Sequence, residues 1–188
     1  FNIGSIEGNF ITGFRVNEVS YKEGSTMVFS AQEIYIDPDL SQIILGTIAL
    51  SDVQIKNSYY NHDHSVIDIQ NFNFGKRNFF SFNYEISSLK LENALIVFMN
   101  KIYELNGELT YKYSNKYQID ISNIDIESSS IPSIITIPEG GISYHGNEVI
   151  VSDLIVNSNW FSGSINGKYN FADINQISGK LIIDDFEY

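Results

Sequence analysis

Three groups of residues have the types and spacing that chemistry uses. His62-Asp63-His64 is the best metal candidate, since two histidines at i and i+2 on a strand would face one way. The third histidine, His145, is distant in sequence, and there is no cysteine, so no metal-binding set assembles by spacing. The expectation for His62 and His64 is a solvated loop with no bound metal. Asp184-Asp185 with Glu187, and Asp37 with Asp39, could pair as carboxylates for acid–base work. Their positions at bends favour solvated charge. Ser128 to Ser130 has no histidine or aspartate in a triad-like context, so a nucleophilic serine has no support. No phosphate-binding loop, dinucleotide fingerprint or zinc spacing occurs. The sequence therefore predicts no catalytic residues, no cofactor and no enzyme.

What positions side chains in this chain is one recurring spacing, apolar-x-apolar-x-x-apolar-x-apolar. It opens with Phe14, Val16, Val19 and Tyr21, and continues with Phe29, Ala31, Ile34 and Ile36, then Ile48, Leu50, Val53 and Ile55. Ile67, Ile69, Phe72 and Phe74 form the next copy, and Leu89, Leu91, Ala94 and Ile96 a weaker one. Ile119, Ile121, Ile124 and Ile126 follow, then Val149, Val151, Leu154 and Val156, and last Leu181, Ile183, Phe186 and Tyr188. Alternate side chains of a strand share a face, so each arm turns two apolar side chains inward. The skipped beat would flip the second arm outward unless a bulge or corner restores the face. The skipped pairs are all polar: Asn17-Glu18, Gln32-Glu33, Ser51-Asp52, Gln70-Asn71, Glu92-Asn93, Ser122-Asn123, Ser152-Asp153 and Asp184-Asp185. Asn, Asp and Ser tolerate such bends.

Between the copies, Leu105 to Tyr113 and Phe161 to Phe171 alternate without a skip, as do Phe80, Phe82, Tyr84 and Ile86. From Leu89 onward a bent strand and a straight return recur about every 30 residues. Asp37-Pro38-Asp39 followed by Leu40 to Gly46 predicts one short helix near 38–46. In Ala94 to Tyr103 a second short helix is the lesser expectation, since the segment is rich in β-branched and aromatic residues. Asn57 to Ser65 reads as a polar loop, Ser128 to Ser133 as a break, and Lys22 to Ser25, Glu139-Gly140-Gly141 and His145-Gly146-Asn147 as turns.

The totals agree with one domain over 1–188. Hydrophobic residues make up 43%, too many for disorder. The net charge of −12 argues against a nucleic-acid partner. It also disfavours electrostatic attachment to an anionic membrane. The absence of cysteine excludes disulfides and suits an oxidising compartment. With no initiator methionine, and a last copy that runs to the terminus, the expectation is a piece of a longer protein. The predicted fold is all-β: an elongated groove of bent, mostly antiparallel strands, open-solenoid in character. Its inward face is rich in aromatics: Phe10, Phe14, Phe29, Phe72, Phe74, Phe80, Phe82, Phe98, Trp160, Phe161, Phe171 and Phe186. If the array does not close, that face must meet something apolar, and acyl chains fit.

Gly8 to Val19, read as Gly-Asn-Phe-Ile-Thr-Gly-Phe-Arg-Val-Asn-Glu-Val, resembles the opening of TamB and AsmA-like proteins. Ala31 to Pro38, the Leu40 to Gly46 helix and Ile48 to Ile55 follow that family's order, and Ser162 to Tyr169 with Gly179 to Leu181 resembles its rung pattern. The resemblance is strongest over 1–56 and is one of pattern thereafter. It implies a β-taco groove in the envelope of a diderm bacterium, anchored in the inner membrane through a segment absent from this chain and spanning the periplasm. It further implies phospholipid transport towards the outer membrane, or assistance to outer-membrane protein assembly through contact with a barrel protein made by other regions. The partners it implies are phospholipid acyl chains. Against it stands a structural or adhesive β-solenoid with a closed, dry core.

Overall fold

The computed structural model describes residues 1–64, 83–113, 116–131, 133–170 and 177–186. The strands are β1 (Ser5–Asn9), β2 (Gly13–Glu23), β3 (Thr26–Pro38), β4 (Thr47–Asn61), β5 (Asn83–Phe98), β6 (Lys101–Tyr113), β7 (Tyr117–Glu127), β8 (Ile135–Ile137), β9 (Gly140–His145), β10 (Glu148–Asn157), β11 (Phe161–Asn170) and β12 (Ile177–Phe186). They form one sheet in sequence order, with β8 and β9 side by side between β7 and β10. Every pairing is antiparallel except β4 with β5. The expected copy at Ile67, Ile69, Phe72 and Phe74 lies outside the described residues, as do Phe80, Phe82 and Phe171.

The polar skips are where the backbone departs from a flat strand. Glu18, Asn93 and Asp153, each the second residue of a skipped pair, have φ of 54°, 52° and 47°. At Ser51-Asp52, Ser122-Asn123 and Asp184-Asp185 the pairing register shifts by one residue. Of the described pairs only Gln32-Glu33 shows neither feature, and Gln32 instead lies level with Glu18 on one side and with Asn57 (φ 47°) on the other. Because β2, β3, β4 and β5 all take their extra residue at this level, their register stays constant across it. β6 has no extra residue, and there Glu92-Asn93 oppose Asn106 alone. The Asn106 Oδ1 accepts the Asn93 N–H at 2.7 Å. The same device recurs at β10 and β11, where Asn166 Oδ1 accepts the Asp153 N–H at 2.8 Å. In both places a glycine follows the asparagine. A Cβ at Gly107 would run into the backbone of Asn123 and Ile124.

The short helix α1 spans Leu40–Ile44. Asp39 caps it, accepting from the backbone of Ser41 at 3.0 Å and of Gln42 at 3.2 Å. Helix α1 lies against β4, where Ala49 is 2% exposed. Two sequence expectations fail. Asn57 to Asn61 is not loop but the last third of β4, because Ser58 and Tyr60 continue the inward alternation and pair with Ala31 and Phe29. Gly140 and Gly141 are not a turn but the start of β9, paired with Ile121 and Asp120.

Every described strand belongs to this one sheet.

Candidate apolar groove

Cross-strand pairing carries the inward residues of successive copies into rows that run along the sheet. One row is Phe14, Ile36, Val53, Leu89, Leu109 and Ile121, reaching Gly140, over which Leu154 sits. Leu154 pairs with Ile165, and Ile165 with Leu181. The next row is Val16, Ile34, Ile55, Leu91, Gly107, Ile124 and Ile137. Val156, Gly163 and Ile183 lie together further along. Val19, Ala31, Ser58, Ala94, Leu105, Ile126 and Ile135 form a third. A fourth holds Leu50, Ile86, Tyr111, Ile119, Ile142, Val151 and Gly167. Ile48 heads a fifth, described below, and Phe29 lies in a sixth with Tyr21, Tyr60, Ile96 and Tyr103. Phe186 pairs with Phe161 at the last strand. Strands stack about 4.8 Å apart, so the longest row, from Phe14 to Leu181, extends for about 43 Å.

The larger side chains of this face stay partly exposed, whereas Val19, Ala31, Val53, Ala94 and Ile124 of its rows are buried. The buried apolar residues are Val19, Val28, Ala31, Ala49, Val53, Ala94 and Ile124. No described leucine, phenylalanine, tyrosine or tryptophan is among them. Leu181 is 64% exposed, Ile183 56% and Ile48 41%. The face is hollowed in two places. One hollow of about 360 Å³ is walled by Ile48, Leu50, Ile86, Tyr84, Tyr111, Tyr113 and Tyr117, with Glu85 also reaching it. The other, of about 330 Å³, lies over Val149, Val151, Ile165, Tyr169 and Leu181. A larger hollow of about 580 Å³ is on the opposite face, among Leu95, Ile102, Glu104, Glu127 and the serines of the β7–β8 connection.

That opposite face is ionic. Arg15 meets Glu33 at 3.2 Å, and Lys56 bridges Glu33 and Glu92. Lys90 meets Asp52, Lys112 meets Glu85, and Lys168 meets Glu148 at 2.8 Å. Exposed pairs of this kind contribute little stability each. They do fix which face meets water.

Sequence reasoning missed the row headed by Ile48, because its aromatic list held phenylalanine and tryptophan alone. Ile48 pairs with Tyr84, Tyr84 with Tyr113, Tyr113 with Tyr117, Tyr117 with Tyr144, Tyr144 with Val149, and Val149 with Tyr169. The ring centroids of the first four tyrosines are 6.0, 4.5 and 5.8 Å apart in succession. The row runs along the ends of the strands, at one lip of the groove. Burial raises the pKa of Tyr111 and of Tyr117, with neighbouring tyrosines adding to the effect. By contrast Phe10 is 63% exposed, edge-on to Phe14 at 5.0 Å, and Phe98 rests against His62.

The chemical candidates have structural work. His62–His64 is a single 3-10 turn, not strand, so the two histidines do not share a strand face. Nor is the motif merely solvated: Asp63 Oδ1 accepts the Met99 N–H at 2.8 Å and Oδ2 the Asn100 N–H at 2.7 Å. Met99 and Asn100 form the β5–β6 turn with φ of 52° and 57°. The Asn100 amide chiefly, then Met99 and the nearby histidines, lower the Asp63 pKa. Among the described residues no three metal-ligating side chains come together. Asp37 accepts from Ser51 and Asp39 from Ser41, whereas Asp184 and Asp185 stand on β12 at the far end of the strand order. Ser128 Oγ donates to the Ile102 carbonyl. No described helix is long and apolar enough to cross a membrane.

Comparison with family models, with curated proteins and with solved structures finds no match.

Proposed function

We propose that this chain is a non-enzymatic carrier of lipid acyl chains, part of a periplasmic bridge that moves phospholipid between the inner and outer membranes. The observation that carries the reading is the run of apolar rows, about 43 Å at its longest, on which the larger side chains stay partly exposed. One leaflet's acyl region is about 15 Å deep, so a chain lying along the rows could move from copy to copy without leaving apolar surface. The resemblance to TamB and AsmA-like proteins supplies the setting. A closed, dry solenoid would hide its large side chains, and Ile48 and Tyr84, on interior strands, are 41% and 42% exposed.

The test is lipid transfer between donor and acceptor vesicles catalysed by the chain. A charge at Leu50 or Phe29, in Leu50→Asp or Phe29→Asp, should abolish transfer while circular dichroism stays that of the parent. Transfer that survives both substitutions in folded protein would refute the reading.

A further inference from the structure

The lip of the groove is chemically unlike its floor. From Val53 to Ile124 the floor is aliphatic or glycine, whereas the lip from Tyr84 to Tyr144 is a stack of phenols across β5, β6, β7 and β9. Tyrosine combines an apolar ring with a polar tip, and it collects where one end of a site is greasy and the other wet. Tyr84, Tyr111 and Tyr113 wall the 360 Å³ hollow together with Ile48, Leu50 and Ile86, so hydrogen-bonding phenols and aliphatic surface meet in one cavity.

The charge around this lip is specific too. Lys112 is held by Glu85 and Lys168 by Glu148, so these cations are already neutralised by a partner. The chain as a whole carries −12. Lys116 stands in the β6–β7 turn between Tyr113 and Tyr117, so the bias against an anion comes from the chain's long-range field alone.

We propose that the tyrosine lip seats the glycerol-ester region of a zwitterionic or uncharged glycerolipid, whose acyl chain lies on the aliphatic floor. The proposal rests on the acyl-carrier reading and adds head-group selection to it. Phenols offer neutral donors to ester and phosphate oxygens. A zwitterionic head keeps those acceptors and lacks the net charge that the chain repels.

The experiment uses two kinds of probe at pH 8. Diphenylhexatriene, an all-hydrocarbon fluorophore, reports apolar occupancy alone. Two palmitoyl lysolipids, one with a phosphocholine and one with a phosphoglycerol head, then compete for it below their micelle thresholds. The zwitterionic lipid should displace the fluorophore at about tenfold lower concentration than the anionic one. The combined variant Tyr84→Phe, Tyr111→Phe, Tyr113→Phe keeps the rings and removes three hydroxyls. It should bind the fluorophore as the parent does and lose most of its affinity for the zwitterionic lipid. If that variant does not fold, Tyr84→Phe alone, at a position 42% exposed, should show a smaller loss in the same direction. Fluorophore binding with equal displacement by the two lipids, or with no change in the phenylalanine variants, overturns the head-group proposal and leaves the carrier reading standing. Failure of every probe to bind the parent overturns both.

Discussion

Asn106 and Asn166 do the same job at two places, and that identity makes a sharp prediction. Each stands on a straight strand opposite a bulge, accepts one backbone N–H from the bulged residue, and precedes a glycine. Asn106→Ala removes the acceptor for an amide whose residue, Asn93, is held at a φ of 52°. A hydrogen bond of this kind contributes about 0.5–1.5 kcal/mol net, and water can replace part of it at an exposed bend, so about 1 kcal/mol is at stake. With a urea slope of about 2–3 kcal/mol/M, the midpoint should fall by about 0.3–0.5 M. Asn166→Ala should cost the same, and the double variant the sum, because the two bends share no partner. Asn106→Asp keeps the acceptor but sets a carboxylate opposite Asp125 and beside Glu104, so it should not recover the parent's stability at neutral pH. The assay is equilibrium urea unfolding followed by circular dichroism, with hydrogen exchange at the Asn93 and Asp153 amides as the local readout. If Asn106→Ala matches the parent, the bends are held by backbone pairing alone and the reasoning fails.

Asp63→Asn should speed hydrogen exchange at Met99 and Asn100 at neutral pH, because its carboxylate holds both amides. The Asp63 pKa is lowered in the folded chain, so this contribution is present above the usual carboxylate range and lost as pH falls through the lowered value. Parent and variant should therefore converge as the pH falls through that lowered value, and a difference that does not shrink in acid would contradict the assignment. Gly107→Ala should destabilise the chain by about 1–3 kcal/mol, since the new Cβ meets the backbone of β7 with no side chain to move aside. A urea midpoint within error of the parent would show that β6 and β7 can separate freely.

How much of this was legible follows from which signals are local. The bends were readable because each needs a polar pair between apolar arms, and Glu18, Asn93 and Asp153 carry the backbone angles that such a pair tolerates. The strict alternation of Leu105 to Tyr113 was readable as a straight return strand, and Asp37-Pro38-Asp39 as the opening of a short helix, although Pro38 still belongs to β3 and the cap is Asp39. The rows themselves follow once neighbours in sequence are neighbours in the sheet. Asn57 to Asn61 was misread because Ser58 and Asn61 carry polar letters at positions that are nevertheless buried. The parallel pairing of β4 with β5 leaves no local mark, since it depends on how the chain returns between them. The role of Asp63 depends on a turn some 36 residues away, and proximity of that kind is invisible to spacing. The tyrosine lip could have been found by tracking hydroxyl-bearing aromatics at strand ends, where Tyr113 and Tyr117 flank one turn and Tyr144 adjoins the next.

The central claim is that the apolar face holds lipid. Native mass spectrometry with lipid extraction, on the chain purified from bacterial cells, tests it most directly. The account predicts co-purified phospholipid on the parent and its loss in Leu50→Asp. A folded parent that carries no lipid, and takes none up when phospholipid is supplied, would contradict it.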